Sequence, residues 1–231
     1  MTALGRDVRA DHRSAAWVVA WALAVFASAH AGTLTPLPLI DNERVTVWDL
    51  ALAQGHSGPA TPHDQDVVIM FLEGARLRTV DGKGNSTLST RKFGDAIFVP
   101  KGTDARDTVI GGGPELEIVI ALKDYSAPRI APTAGYPAAF PCEGAVMVLD
   151  ESRFTVWHYD WAPGVPTPMH VHDKDFVVAF RYSATQTIAL PDGNTRTSSI
   201  RAGDTYFRER GLIHSEEFPD DPQSALFLEL K

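Results

Sequence analysis

The chain has 231 residues, of which 44% are apolar and 22% charged. This balance predicts a folded protein with one or two real cores and excludes a disordered chain. Its formal charge of −8 argues against nucleic acid and anionic membrane surfaces as partners, because both are gripped through basic patches.

At the N-terminus, Arg6, Arg9 and Arg13 precede the apolar run AAWVVAWALAVFA, residues 15–27, after which Ala29 and Ala31 frame His30. A basic, an apolar and a small-residue segment in that order predict a cleavable signal peptide over 1–31, cut after Ala31. The expectation is a periplasmic or secreted protein with no stable membrane insertion once the signal is removed. An uncleaved anchor is the alternative, but a spanning helix needs roughly 20 apolar residues, more than this run supplies.

Beyond the signal, short segments rich in Val, Ile, Phe, Tyr and Thr follow one another: VVIMFL from Val67, IFVP from Ile97, LEIVIAL from Leu116, FVVAFRY from Phe176, YFRE from Tyr206 and ALFLEL from Ala225. Turn formers such as VDGKGN, GGGP and PDGN separate them, and no helical period of useful length intervenes. Between the two groups of strands runs SAPRIAPTAGYPAAFP, residues 126–141, whose prolines resist helix and sheet and predict a linker. The single cysteine, Cys142, excludes an intramolecular disulfide. No histidine or cation neighbours it in FPCEGA, so it reads as a small buried hydrophobe rather than a reactive thiol.

The two groups of strands are copies of one another. A shift of 109 residues lays RVTVW at Arg44 on RFTVW at Arg153, HDQD at His63 on HDKD at His172, and GDAIF at Gly94 on GDTYF at Gly203. Between Arg44 and Arg106 the ungapped register gives 20 identities in 63 positions, a density that indicates duplication. The predicted organisation is signal peptide 1–31, N-terminal unit 32–123, linker 124–145 and C-terminal unit 146–231, each unit a small all-β barrel.

Within the second copy, GVPTPMHVHDKDF places His170 and His172 two residues apart. On a strand they face the same side, the geometry by which two imidazoles grip one ion. Gly164, His170 and His172 are followed by Gly203, Gly211 and His214. This spacing resembles the motif pair of the cupin superfamily, G-x5-H-x-H-x3-E-x6-G and G-x5-P-x-G-x2-H. The first copy resembles it too, through Gly55, His63 and Gly74 and then Gly94, Pro100 and Gly102. The resemblance spans nearly the whole mature chain and implies an all-β bicupin, two tandem jelly-roll barrels.

The resemblance also implies a ligand set. His170, His172 and His214 stand at the superfamily's three histidine positions, while Phe176 holds its carboxylate position and cannot bind a metal. In the first copy His63 alone remains, with Thr61, Val67 and Ala105 at the other positions, which implies a barrel without a metal. Asp173 and Asp175 recur there as Asp64 and Asp66 and so read as turn or capping residues rather than substitute ligands.

Three imidazoles with open positions suit one divalent transition metal, Fe, Cu, Zn, Ni or Mn. Replacement of the carboxylate departs from the usual two-histidine, one-carboxylate iron site, whereas cupins resembling thiol and diketone dioxygenases use three histidines. Glu216, two residues past His214, faces the same way on a regular strand and reads as a fourth ligand, a general base, or a solvated acid at a strand end. A period of two from Phe176 puts Val178, Phe180 and Tyr182 on the pocket side, a largely apolar lining for a small organic molecule. Arg208, Glu209 and Arg210 read either as an anion grip or as a salted surface hairpin.

The function expected is therefore an exported bicupin binding one metal in its C-terminal barrel, as a dioxygenase-like oxidoreductase on a small organic substrate. The alternative is a non-catalytic periplasmic cupin that binds metal or a small ligand. Two barrels in one chain also predict a monomer, because each satisfies the pairing contact of the other.

Overall fold

Every regular element among the described residues is a strand, in keeping with segments dominated by β-branched and aromatic side chains. The computed structural model describes residues 37–58, 64–125 and 135–231. The signal peptide expected over 1–31, Thr61, His63 and the middle of the linker lie outside the described residues.

The first barrel comprises β1 (Ile40–Asp41), β2 (Val45–Leu52), β3 (Asp66–Asp81), β4 (Ser86–Thr90), β5 (Ala96–Val99) and β6 (Ala105–Leu122). They form one sheet in the order β1-β2-β6-β3-β4, with β5 also paired to β3. The two long strands β3 and β6 run together, and register shifts between Phe71 and Leu77 bend the sheet around on itself. Gly74 sits in this bend, where an added Cβ would lie 2.0 Å from the Arg91 carbonyl oxygen; the backbones approach closely only because the position is glycine.

The second barrel comprises β7 (Val146–Asp150), β8 (Phe154–Trp161), β9 (His170–Val171), β10 (Asp175–Phe180), β11 (Ala184–Ala189), β12 (Thr195–Ile200), β13 (Thr205–Arg208), β14 (Ile213–Glu217) and β15 (Gln223–Leu230). The repeat shift carries β2 onto β8 and β5 onto β13 residue for residue. What is β3 in the first barrel is cut here into β10 and β11, and β6 into β14 and β15. The second cut falls at FPDDP, residues 218–222, where two prolines cannot donate to a ladder. The result is two sheets, β13-β10-β15-β8-β7 and β12-β11-β14-β9. Gly94 and Gly203, repeat equivalents, both enter the next strand at positive φ, 90° and 86°, a conformation that favours glycine in each copy.

Strand alternation sorts the apolar residues into three cores. Val67, Ile69 and Phe71 point into the first barrel, and Phe176, Val178 and Phe180 into the second. The intervening Val68, Met70 and Leu72 pack with Val177, Ala179, Leu226 and Leu228 in a third core shared between the barrels. Both faces of these central strands are thus covered, which is why VVIMFL and FVVAF read as unbroken apolar runs rather than alternating ones.

A reciprocal pair of ion contacts brackets that shared core. Arg44, just before β2, reaches Asp175 at 3.3 Å, and its equivalent Arg153 reaches Asp66, the equivalent of Asp175, at 3.0 Å. Asp175 also accepts from Arg210 Nε at 2.8 Å and Nη2 at 2.6 Å. Burial pushes the Asp175 carboxyl up, but the Arg210 hydrogen bonds and the Arg44 charge outweigh it and hold the carboxyl below the usual range. Asp175 therefore caps the turn at Arg210, whose N–H donates to it at 3.0 Å, as Asp66 caps the one at Lys101. It also joins the barrels, and Arg210 is occupied by it rather than free to grip a ligand.

Candidate metal centre

Two neighbouring antiparallel strands build the site. In the ladder between β9 and β14, His214 lies directly opposite His170, and the ladder continues with the His172 N–H donating to the Leu212 carbonyl at 2.9 Å. His170 and His172 on one strand and His214 and Glu216 on the other are each spaced by two, so all four side chains project to the same face. Thr167 fixes the register of the acidic end: its N–H donates to the Glu216 carbonyl at 2.8 Å, and its Oγ1 accepts from the Glu216 N–H at 2.9 Å.

The donor atoms of His170, His172, His214 and Glu216 all lie within 4.8 Å of one another. His172 Nε2 stands 3.3 Å from His170 Nε2 and 3.1 Å from His214 Nε2, and Glu216 Oε1 is 3.1 Å from His214 Nε2. The His170 Nδ1–H donates to the Pro168 carbonyl at 2.8 Å, which leaves its Nε2 lone pair pointing at the others. Nδ1 of His172 and of His214 is buried without a hydrogen-bond partner. Phe176, in place of a carboxylate, stacks on His172 with centroids 4.0 Å apart and shields that ring from water.

Burial sets the protonation of the cluster. It drives His172 down to about 2 and His214 to about 3, with the neighbouring imidazoles adding to the effect, and it lowers His170 as well. The same burial raises Glu216 to about 7. At neutral pH the site thus holds three neutral imidazoles with converging lone pairs and a carboxyl poised to give up its proton. Such a donor set fits a divalent transition metal, which would satisfy the lone pairs and stabilise the carboxylate.

Glu216 is a buried member of the cluster and not a solvated strand-end acid. The Asp173 carboxylate, by contrast, accepts from Lys174 at the surface, and neither it nor Asp175 belongs to the donor set. Phe176 and Val178 line a cavity of about 450 Å³ that reaches His214 and Glu216. Tyr182 does not line it: β10 ends at Phe180, the period of two stops there, and Tyr182 is exposed with Arg181 beside its ring.

A second cavity of about 450 Å³ reaches His170, His172 and Glu216 from the other side. Its wall contains residues from the predicted linker: Ala139 N–H donates to the Val171 carbonyl at 2.8 Å, and Phe140 stacks on Trp157 and packs on Phe227. Cys142 is exposed at this wall, not buried as the sequence suggested, and partial desolvation raises its thiol so that it stays protonated. Trp161 lines the same cavity with a buried Nε1–H that has no acceptor. No sequence signal marked Phe140, because a proline-rich stretch does not reveal which barrel it folds against, or Trp161, which ends β8 as an ordinary strand aromatic.

Among the described residues the first barrel holds no such donor set. At the positions equivalent to His214 and Glu216 stand Ala105 and Asp107, and its interior carries Glu115 and Glu117 instead. Burial, reinforced by the charges of Glu115 and Asp107, raises Glu117 to about 8. A carboxyl with a folded value above its unfolded one contributes stability at low pH that is lost as pH rises through the folded value. Glu117→Gln is therefore expected to raise the melting temperature by several degrees at pH 9 and to change it little at pH 5, measured by thermal unfolding at both.

No protein-family model matches the chain. Over 82 residues, 36% of this chain and 81% of the relative, it is 32% identical to the Pseudomonas aeruginosa protein named beta-alanine degradation protein BauB. Among solved structures it resembles oxalate decarboxylase of Bacillus subtilis, in a study of that enzyme's Mn(II) centres, with a TM-score of 0.57, 17% identity, and coverage of 81% of this chain and 69% of that one. A structure concerned with the substrate binding mode of oxalate decarboxylase matches with the same score, identity and coverage. At this identity the likeness is one of fold.

Proposed function

The chain belongs to the cupin superfamily, and from that premise we propose that it is an exported two-barrel protein holding one divalent transition metal on His170, His172, His214 and Glu216. Acting on a small organic molecule, it would be a metal-dependent oxidoreductase of the dioxygenase-like kind. The observation that carries this reading is the convergence of three imidazoles and one carboxyl within 4.8 Å, open to cavities on two sides. The carboxylate that the superfamily places on the first motif is supplied here by the strand of the second.

A bound metal would supply a Lewis acid or an oxygen-activating centre. The chain's own groups prepare the place for it: His170 is held in its ligand tautomer by Pro168, Phe176 keeps water from His172, and Glu216, raised by burial, gives up its proton on taking the metal. Imidazole with carboxylate suits manganese and iron as well as zinc, copper and nickel, and the Mn(II) centres of the fold neighbour make manganese a metal to test first.

One observation favours a second reading, a non-catalytic binding protein. With Glu216 in the donor set, no other carboxyl of the cluster remains to move protons. The two readings part on an open coordination position: azide should perturb the spectrum of the cobalt-substituted protein if it is an enzyme and leave a closed binding site unchanged.

Elemental analysis of residues 32–231, purified from an export host without a histidine tag, should find about one metal per chain. Glu216→Gln keeps the shape and removes the charge. It is expected to weaken metal affinity by about ten- to a hundredfold, the scale on which groups around a metal act, as read by chelator competition. Unchanged affinity would remove Glu216 from the ligand set. Since the barrels share one core through their sheets, we further propose a monomer in solution.

A further inference from the structure

The two cavities that meet at the metal centre have opposite linings. The one walled by the linker carries Glu143 and Asp160 beside its aromatic rings, whereas the one on the β10 to β15 side carries Arg196 and Arg208 at its rim. Both arginines are exposed, and neither lies within ion-pair distance of a carboxylate among the described residues, although the Arg196 charge is felt at Asp192. The Asp192 carboxylate near Arg196 is engaged by Asn194, and Arg208 donates only to the Phe207 carbonyl while its guanidinium lies over the Tyr206 ring. Deeper in the cavity stands the Gln186 amide, 6% exposed, among Phe176, Phe180 and Ile188.

The repeat supplies an internal control. At the shift of 109 residues Gln186 falls on Leu77, Arg196 on Thr87 and Arg208 on Val99. Leu77 is buried in the apolar interior of the first barrel. All three polar replacements thus occur in the barrel that carries the donor set, on three different strands, and they converge on one cavity. Packing does not call for them, because the same fold is built with Leu, Thr and Val in the first copy.

Resting on the metal reading above, we propose that the ligand of this site is an organic monocarboxylate whose anionic group is held at the rim by Arg196 and Arg208. Its apolar body lies along Phe176, Val178 and Phe180, with Gln186 beside it, and the far end reaches His214 and Glu216. Guanidinium groups suit a carboxylate because they offer paired donors in a planar fork. On a chain of net charge −8, a local cationic rim also lets an anion approach one mouth while the acidic mouth repels it.

The test is a titration of the purified protein, its metal content measured in the same sample, with butyrate, hexanoate and benzoate and with the three corresponding primary amides. At least one carboxylate should bind, its amide about tenfold or more weaker. The double variant Arg196→Gln/Arg208→Gln should lose about tenfold or more in carboxylate affinity while keeping its metal and its weak affinity for the amide. Both side chains are exposed, so folding is not at stake, and circular dichroism checks it. Equal binding of carboxylate and amide, absence of carboxylate binding, or an unchanged double variant overturns the proposal and leaves the metal reading in place. Arginine-dependent carboxylate binding in a protein that holds no metal supports the anion site and overturns the metal reading instead.

Discussion

His214→Ala is expected to strip the metal from the protein, from about one equivalent to background by elemental analysis after dialysis, with the fold intact by circular dichroism. His214 Nε2 lies between His172 Nε2 and Glu216 Oε1, 3.1 Å from each, so its removal takes one of four donors and also the atom that ties the acidic end of the set to the imidazole end. Alanine is what the first barrel carries at the equivalent position, Ala105, so the strand accepts the substitution without distortion. Because His214 is neutral in the folded state, well below its ordinary value, the variant also removes a buried group that would have to charge on acidification. The metal-free variant should therefore unfold at slightly lower pH than the metal-free parent. Retention of a full equivalent of metal would place the ion elsewhere.

Much of this was legible because a duplication prints the same register twice. RVTVW and RFTVW, GDAIF and GDTYF mark the same strands in both barrels, and the HxH pair lies on one strand facing one way. Glu216 was harder to read. Its spacing from His214 placed it on the ligand face, but only the pairing with Thr167 and the packing around it show that this strand end is buried, and burial depends on tertiary contacts that no local pattern encodes. Tyr182 fails for the complementary reason: alternation holds only while the strand lasts, and β10 stops at Phe180. The linker residues that wall a cavity were invisible because Pro-rich composition predicts absence of sheet, not the surface on which a segment comes to rest. Asp175 caps a turn as its sequence context suggested, but its second role as a joint between the barrels was not legible, because Arg44 and Arg210 stand far from it along the chain.

Asp175→Ala is expected to be the most destabilising single change outside the apolar cores. Asp175 and Arg44 have only 8% of their side chains exposed, and Arg210 has 15%. Removing the carboxylate takes the counter-charge from Arg44 in a poorly solvated junction between the barrels, and breaking such a buried pair costs about 3–5 kcal/mol. For a protein of this size that corresponds to a fall in melting temperature on the order of 10 °C. The reciprocal change, Asp66→Ala, breaks the equivalent contact with Arg153, but there the side chains are 25% and 36% exposed. Water replaces the lost partner, and the cost should stay at or below about 1 kcal/mol. The native clamp should also weaken in acid, since the depressed Asp175 carboxyl contributes stability above its unfolded value that is lost as pH falls through the folded one. Thermal unfolding of both variants at pH 7 measures the asymmetry. Equal and small losses would mean that the shared apolar core alone holds the barrels together, whereas a large loss for Asp175→Ala alone makes the duplicated ion pair a joint in one half of the molecule and a surface contact in the other.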